Sequence, residues 1–99
     1  MAILHTVVFR LSHPAGSPEE ALFLDTARET LTVIAGVRDF TVRRQVSAKS
    51  DLDWQFSMLF DDQDAYDAYD AHPLHREFVA TRWATEVEAF QEYDFVDRP

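Results

Sequence analysis

The segment Ile3–Leu11 constrains the fold most, because its pattern predicts a β-strand that is apolar on both faces. Successive side chains of a strand point to opposite faces, so Val7 and Phe9 share one face while Leu4 and Val8 share the other. A strand of this kind has to be covered on both sides. Helices of the same chain can cover one side, but 99 residues barely suffice for a second covering layer. The far face of the sheet is therefore expected to need a partner.

Composition and charge exclude several classes of protein. The net charge is −9, which argues against nucleic acid and anionic membranes as partners, because both need clustered Lys and Arg. The absence of cysteine excludes disulfides and thiolate chemistry. No segment approaches the ~20 apolar residues of a membrane helix, and the N-terminal residues lack the basic region of a signal peptide. We therefore expect one soluble, cytoplasmic domain over residues 1–99, whose eight Phe and two Trp favour an oligomer.

The next segment has the signals of an amphipathic helix. Ser17 is the predicted N-cap, Pro18 occupies the first helical position, and Glu20 completes a capping box. Gly36 is the predicted C-terminal stop. The buried stripe of this helix is expected to comprise Phe23, Ala27, Leu31 and Ile34.

A hairpin and a broken helix follow. Residues 37–46 and 52–60 are the predicted strands of the hairpin. Asp61 or Asp62 caps a helix that ends near Ala71. The third strand is expected to place Trp54, Phe56, Met58 and Phe60 on one face.

Proline at position 73 interrupts the helical pattern and starts a second helix, residues 73–83. The last strand is predicted at residues 87–96, with Val87, Ala89, Tyr93 and Phe95 on the face opposite to Phe90 and Val96. The order of elements, β-α-β-β-α-α-β, is that of the α+β, ferredoxin-like split βαβ arrangement with helices on one face of an antiparallel sheet. Two such sheets packed face to face would form a homodimeric α/β barrel.

The richest chemistry lies in the stretch from Tyr66 to Phe78. His75 falls in the first turn of the second helix, where the helix dipole disfavours a positive charge and favours a neutral imidazole. Tyr66 and Tyr69 share a helix face. For Tyr66 the expected role is packing with its hydroxyl at the rim.

Two roles are open for His5. It lies on a strand face that is otherwise apolar, which is typical of a hydrogen-bonded core histidine. Beside His75 it would instead form an acid–base pair. His72 is a further candidate for ligand binding, although its place at the helix joint favours a capping role. A metal site built from His5, His72 and His75 with Asp70 is disfavoured, since the proline fixes two of the histidines independently and no paired-ligand spacing is present.

Three landmarks resemble the stress-responsive dimeric α/β-barrel (Dabb) family over residues 5–94. They are the alternating His5, Val7 and Phe9, the turn at residues 34–37, and the run from Tyr69 to Phe78 that contains His-Pro-x-His-x-x-Phe. The resemblance implies a ferredoxin-like protomer, a homodimer and a cavity between the helices and the sheet.

One branch of that family consists of polyketide cyclases, which close a ring by aldol condensation without metal or cofactor. The resemblance would place their catalytic histidine pair on His5 and His75 and their assisting tyrosine on Tyr69. That branch also uses a tyrosine in the first helix, and this chain has none there. The expected ligand-binding residues are Val7, Tyr66, His72 and Phe78.

Three functions follow as hypotheses. The first is a cofactor-independent enzyme of the cyclase or isomerase kind that binds a small, polyketide-like or aromatic molecule. In it His75 is the general base, and His5 and Tyr69 orient or polarise a carbonyl. The second is a non-catalytic, stress-responsive or accessory dimeric protein. The third, a cofactor-free monooxygenase, rests on fold analogy alone.

Overall fold

Four antiparallel strands form one sheet, and the helices pack on one of its faces. A computed structural model describes residues 1–99. The strands are β1 (Ile3–Leu11), β2 (Arg38–Arg44), β3 (Trp54–Phe60) and β4 (Val87–Phe95), in the sheet order β2-β3-β1-β4. The helices are α1 (Pro18–Leu31), α2 (Gln63–Ala71), α3 (Pro73–Phe78), a π-helical segment (Val79–Trp83) and a final turn, α4 (Ala84–Glu86). This is the expected ferredoxin-like fold, and no helix is both long and apolar enough to span a membrane.

The start of α1 follows the sequence signals, with one difference. Ser17 Oγ accepts a hydrogen bond from the Glu20 N–H at 3.2 Å, as an N-cap does. The Glu20 carboxylate does not return to Ser17 to close a capping box. It accepts instead from the Gly16 N–H at 3.0 Å and from Trp54 Nε1 at 3.1 Å. Glu20 therefore links the start of α1 to β3.

The end of α1 lies earlier than the sequence suggested. The helix ends at Leu31, and the hydroxyl of Thr32 bonds back to the Arg28 carbonyl at 2.5 Å. Ile34 lies in the following turn, yet only 3% of it is exposed. It is therefore buried as predicted, but from the turn and not from the helix. Gly36 has φ +92° and belongs to the entry into β2.

The predicted hairpin is present but shorter. β2 ends at Arg44 and β3 begins at Trp54, because Gln45 and residues 47–52 bond to one another in a loop. Val46, expected in the strand, is 84% exposed. The β3 residues predicted to share a face do share it, and Phe56, Met58 and Phe60 are buried on the helix side.

The last strand corrects one predicted face. Phe90 lies opposite Phe9 and faces the helices, while Ala89 lies opposite Arg10 on the other face. A register shift between Arg10 and Leu11 then pairs Leu11 with Val87. Val87 packs against the buried core, so it leaves the face it was expected to share with Ala89.

The second helix after the proline is also irregular. It is α-helical only to Phe78, and the Ala84 N–H then bonds to the Val79 carbonyl, five residues back. Such π-helical turns are rare and often lie beside functional sites. This one directs Trp83 onto the core, where the centroid of its ring lies 5.0 Å from that of Phe9. The ring centroids of Phe9 and Phe56 are 4.6 Å apart.

The face of the sheet without helices has an apolar end and a polar centre. Leu4, Tyr93 and Phe95 are 42%, 48% and 51% exposed at the apolar end. At the centre Thr6 and Ser57 are buried, and Gln55 Nε2 donates to the Thr6 hydroxyl at 2.8 Å. The polar groups thus satisfy one another, while the large apolar side chains remain uncovered. We call this surface the open face.

A cluster of His13, Arg82 and Glu86 ties the loop after β1 to the turn before β4. The Glu86 carboxylate accepts from His13 Nε2 at 2.6 Å and from Arg82 Nε at 2.5 Å. Burial acts to raise the pKa of Glu86, but the hydrogen bonds from Arg82 and His13 outweigh it, and the pKa lies below its ordinary value. The ionised Glu86 therefore stabilises the fold at pH values above the ordinary pKa of glutamate. This contribution is lost as the pH falls through the lowered pKa.

We predict that Glu86→Gln lowers the free energy of unfolding by about 1–2 kcal/mol at neutral pH, because it removes a charged acceptor of two hydrogen bonds. The difference from wild type should shrink in strong acid, where the native glutamate is protonated as well. Urea unfolding at neutral pH and in strong acid measures the difference in unfolding free energy under each condition. Glu29→Gln, which removes an exposed carboxylate without a side-chain partner, is the control. An equal loss at both pH values would contradict the assigned role of the charge.

Candidate functional site

A cavity of about 280 Å³ lies between the helix-facing side of the sheet and the helices. Ten of its 14 lining residues are hydrophobic, and a small number of polar groups interrupt that wall. This combination is typical of a site for a small organic ligand. Six of the seven residues selected from the sequence line it: His5, Val7, Tyr66, Tyr69, His75 and Phe78.

His5 is anchored from β4. Its Nδ1 lies 2.6 Å from Asp94 Oδ1, which can only accept, so Nδ1 carries the hydrogen. The Tyr66 hydroxyl donates to the other oxygen of Asp94 at 3.0 Å and lies 3.0 Å from the same Nδ1. Only 8% of His5 is exposed. A carboxylate thus fixes the tautomer and orientation of this imidazole, and a tyrosine holds the carboxylate.

His75 is anchored by the break between α2 and α3. In a continuous helix the Leu74 N–H would bond to the Asp70 carbonyl. Here that N–H bonds to His72 Nδ1 at 3.1 Å, which leaves the carbonyl free. His75 Nδ1 then lies 3.0 Å from this carbonyl and donates to it, since a carbonyl only accepts. The proline break therefore supplies the group that orients His75.

The two imidazoles both leave Nε2 without a partner in the chain. Neither His5 nor His75 has a hydrogen-bond partner for Nε2 within the chain. No side-chain nitrogen or oxygen is both fully buried and unpartnered, so both Nε2 atoms are accessible. With Nδ1 carrying the hydrogen, each neutral ring has its lone pair on Nε2. Two residues that line one cavity therefore each carry an accessible proton acceptor.

Tyr69 lies close to both of these rings. Its ring is 4.5 Å from that of His75 and 6.4 Å from that of His5, measured between centroids. The residue is 3% exposed, and its hydroxyl has no partner within the chain, so by the same argument this hydroxyl is open to the cavity. Burial raises the pKa of Tyr69, and the charges of Asp70 and Glu92 raise it further. The phenol therefore keeps its proton and can donate a hydrogen bond.

Tyr66 differs from Tyr69 in having its hydroxyl engaged. Burial raises the pKa of Tyr66, and its hydrogen bond to Asp94 adds to the increase. Sequence reasoning expected a packing role with the hydroxyl at the rim. The hydroxyl instead belongs to the group that holds His5.

His72 does not line the cavity. Its side chain accepts from the Leu74 N–H and caps α3, which is the structural role that its position favoured. It therefore does not converge with His5 and His75, and no group of three or more His, Asp or Glu side chains is placed to hold a metal ion.

Sequence reasoning missed three polar or aromatic contributors from β4. Phe90 and Glu92 line the cavity, and Asp94 anchors His5. They alternate along one strand face, and that alternation is the available signal. Because it depends on the pairing of β4 with β1 across almost the whole chain, the sequence did not indicate which face meets the helices.

A comparison with protein families decides what kind of chain this is. The sequence model of the Stress responsive A/B Barrel Domain (Dabb) family matches residues 3–97. The chain belongs to this family. The comparison with curated proteins gives no match.

Solved structures agree with this assignment. A Dabb family protein with a ferredoxin-like fold from Mesorhizobium loti is 48% identical, with a TM-score of 0.98 over 99% of this chain and 98% of that one. A dimeric ferredoxin-like protein of unknown function from Thermobifida fusca is 23% identical, with a TM-score of 0.77 over 98% and 92%. A hydroxynitrile lyase from Passiflora edulis is 9% identical, with a TM-score of 0.84 over 98% and 94%. The last two likenesses are of fold alone.

The hydrogen bonds predict the tautomer of each histidine in this Dabb protein. His5 and His75 should carry the hydrogen on Nδ1. His13 donates from Nε2 to Glu86, and His72 accepts at Nδ1, so these two should carry it on Nε2. Long-range ¹H–¹⁵N NMR spectra at about pH 9, well above the ordinary histidine pKa of ~6.5, distinguish the two forms.

The matched control is Asp94→Ala. This change should allow His5 to adopt the Nε2–H tautomer as well. His75 should keep its hydrogen on Nδ1, because it depends on a backbone carbonyl. If His5 and His75 both carry the hydrogen on Nε2 in the wild-type protein, the proposed geometry of the site is wrong.

Proposed function

We propose that this Dabb protein is a homodimer that binds a small organic carbonyl compound in the cavity and catalyses proton transfer next to the carbonyl, without cofactor or metal. Ring closure and isomerisation both belong to this class of reaction. The observation that carries the proposal is the pair of accessible Nε2 atoms, each on an imidazole whose Nδ1 is held by an acceptor, with an unpaired phenol close to both rings. A packing role alone does not require this arrangement.

The same groups suggest an order of events. His75 Nε2 takes a proton from the carbon next to the carbonyl, and the charge moves to the carbonyl oxygen, where the Tyr69 hydroxyl donates a hydrogen bond. The carbanion equivalent then attacks a second carbonyl of the same molecule, and the His75 imidazolium returns its proton to the new alkoxide. In an isomerisation the His75 imidazolium instead returns the proton to another carbon of the carbanion. His5, held by Asp94, orients or polarises the carbonyl. No electrons are gained or lost.

The Passiflora edulis protein, which is named as a hydroxynitrile lyase, is a precedent for catalysis on this scaffold. At 9% identity it supports only the statement that this fold can carry an active site.

The open face supports the homodimer. Leu4, Tyr93 and Phe95 are each between 42% and 51% exposed on a surface that has no helix over it. A contiguous exposed apolar surface of this kind marks an interaction site. The Thermobifida fusca protein, with the same fold, is described as dimeric. A second copy placed sheet to sheet would cover these side chains and leave the cavity on the other side of each sheet.

We expect sedimentation equilibrium to give the mass of two chains for the wild-type protein. Phe95→Asp should give the mass of one chain, because it places a charge among the apolar side chains of the proposed interface. Leu22→Asp is the control: Leu22 is also exposed, at 59%, but lies on α1. A wild-type protein of single-chain mass at micromolar concentration would exclude the dimer.

The catalytic proposal predicts accelerated exchange of solvent deuterium into the carbon next to the carbonyl of phenylacetone, a small neutral ketone with one aromatic ring. The exchange is followed by ¹H NMR. His75→Gln should reduce the enzymatic rate by about 100-fold or more, the usual contribution of a general base. Tyr69→Phe should lower kcat more than it changes KM, because it removes a donor that acts on developing charge.

The matched control for a histidine change is His13→Gln, which lies outside the cavity and keeps a side-chain donor for Glu86. Its exchange rate should equal that of wild type. Exchange by His75→Gln as fast as wild type would remove the role of this residue. No acceleration by the wild-type protein, with the ketone bound, would favour the non-catalytic accessory function.

A further inference from the structure

The charges around the cavity are all of one sign. No Lys or Arg is among its lining residues, whereas Asp70 and Glu92 line it and Asp94 lies behind His5. A ligand that leaves water for an apolar cavity loses much of the screening that water provides. The carboxylates at the wall are exposed, so they act on any charge that the ligand carries with part of the interaction screened by water.

Glu92 is the carboxylate with the least structural explanation. It lies opposite Val7 in the β1–β4 pairing, on the helix side of the sheet, and remains exposed. Its side chain has no hydrogen bond and no ion pair within the chain. Asp94, two residues on, is in contrast fully engaged by His5 and Tyr66. Glu92 is thus free to act on a ligand.

Glu92 adds to the electrostatics of both tyrosines of the cavity. Burial raises the pKa of Tyr66 and Tyr69, and the charge of Glu92 adds to the increase at both. The same charge opposes any negative charge brought next to Tyr69 and attracts a positive one.

The rest of the wall is suited to a flat ligand. The ring of Phe90 meets that of Trp83 edge-on with centroids 5.5 Å apart, and both line the cavity together with Tyr69 and Phe78. Aromatic faces attract cations and tolerate neutral rings. A volume of about 280 Å³ is at the small end for ligand pockets, which fits a molecule of about one ring.

We infer that the cavity selects ligands by charge: it binds neutral or singly cationic molecules with one aromatic ring and excludes carboxylates, with Glu92 as the main determinant. This inference rests on the proposed binding site and names its ligand class. A carbonyl substrate that carries a free carboxylate or phosphate next to its ring would therefore bind weakly.

Three molecules of one shape test this. Benzamide, benzamidinium and benzoate share a ring with a planar substituent and differ in charge: zero, plus one and minus one. Titrations followed by ¹H–¹⁵N NMR, with shifts at cavity residues as the readout, should give benzamidinium and benzamide a dissociation constant at least about ten-fold below that of benzoate. Added salt should narrow the gap, since part of the interaction is screened.

Variants assign the effect to Glu92. Glu92→Gln should weaken benzamidinium binding and strengthen benzoate binding while leaving benzamide unchanged, and Glu92→Lys should reverse the preference. Glu29→Gln removes the same charge from the exposed surface of α1 and should change none of the three constants. Both positions are exposed, so the fold is expected to tolerate the changes.

Several results would overturn the inference. These are wild-type binding of benzoate as tight as that of benzamide, unchanged ratios in Glu92→Gln, or no binding of any of the three molecules. If Glu92→Gln changes only self-association, its charge protects an edge strand and the inference fails. Failure of the catalytic proposal is distinct: the charge preference would be present while deuterium exchange into phenylacetone is absent.

Discussion

The pairing of β1 with β4 in one register is the constraint on which both sides of the sheet depend. His5 lies opposite Asp94, and Val7 lies opposite Glu92. The side-chain period of a strand is two, so a slip by one residue would move both carboxylates to the open face and turn Tyr93 towards the helices. The 2.6 Å hydrogen bond between His5 Nδ1 and Asp94 exists only in this register. The register of β1 and β4 therefore decides which side chains of β4 lie at the cavity.

The helix break supplies for His75 what the edge strand supplies for His5. Pro73 disfavours a continuous helix, because proline has no N–H and clashes with the preceding turn. His72 takes over the Leu74 N–H, and the Asp70 carbonyl is left to orient His75. Nδ1 of His5 is thus held by a carboxylate at 2.6 Å, whereas Nδ1 of His75 is held by a carbonyl at 3.0 Å, with the Asp70 carboxylate further away at 3.9 Å. The two rings share a tautomer but differ in the group that fixes it.

What the sequence could indicate is local, and what it could not is long-range. Ser17 and Pro18 mark the start of α1, and the proline at position 73 marks the joint, because caps and prolines act within a few residues. The paired histidines of the cavity were found from the same local signals and from the family resemblance. Asp94 was missed, because its partner lies 89 residues away and only the sheet register brings them together. The register shift that turns Val87 to the core was invisible for the same reason.

β4 connects the two proposals, because its two faces belong to one backbone. Glu92 and Asp94 face the cavity, while Tyr93 and Phe95 alternate with them on the open face. An edge strand has unpaired backbone groups along one side and is more easily displaced than an inner strand. A second chain packed on Tyr93 and Phe95 would hold this strand in place, and with it the acceptor that orients His5. Dimerisation would then support the site without contributing a residue to it, since anchoring one face of β4 fixes the position of the other.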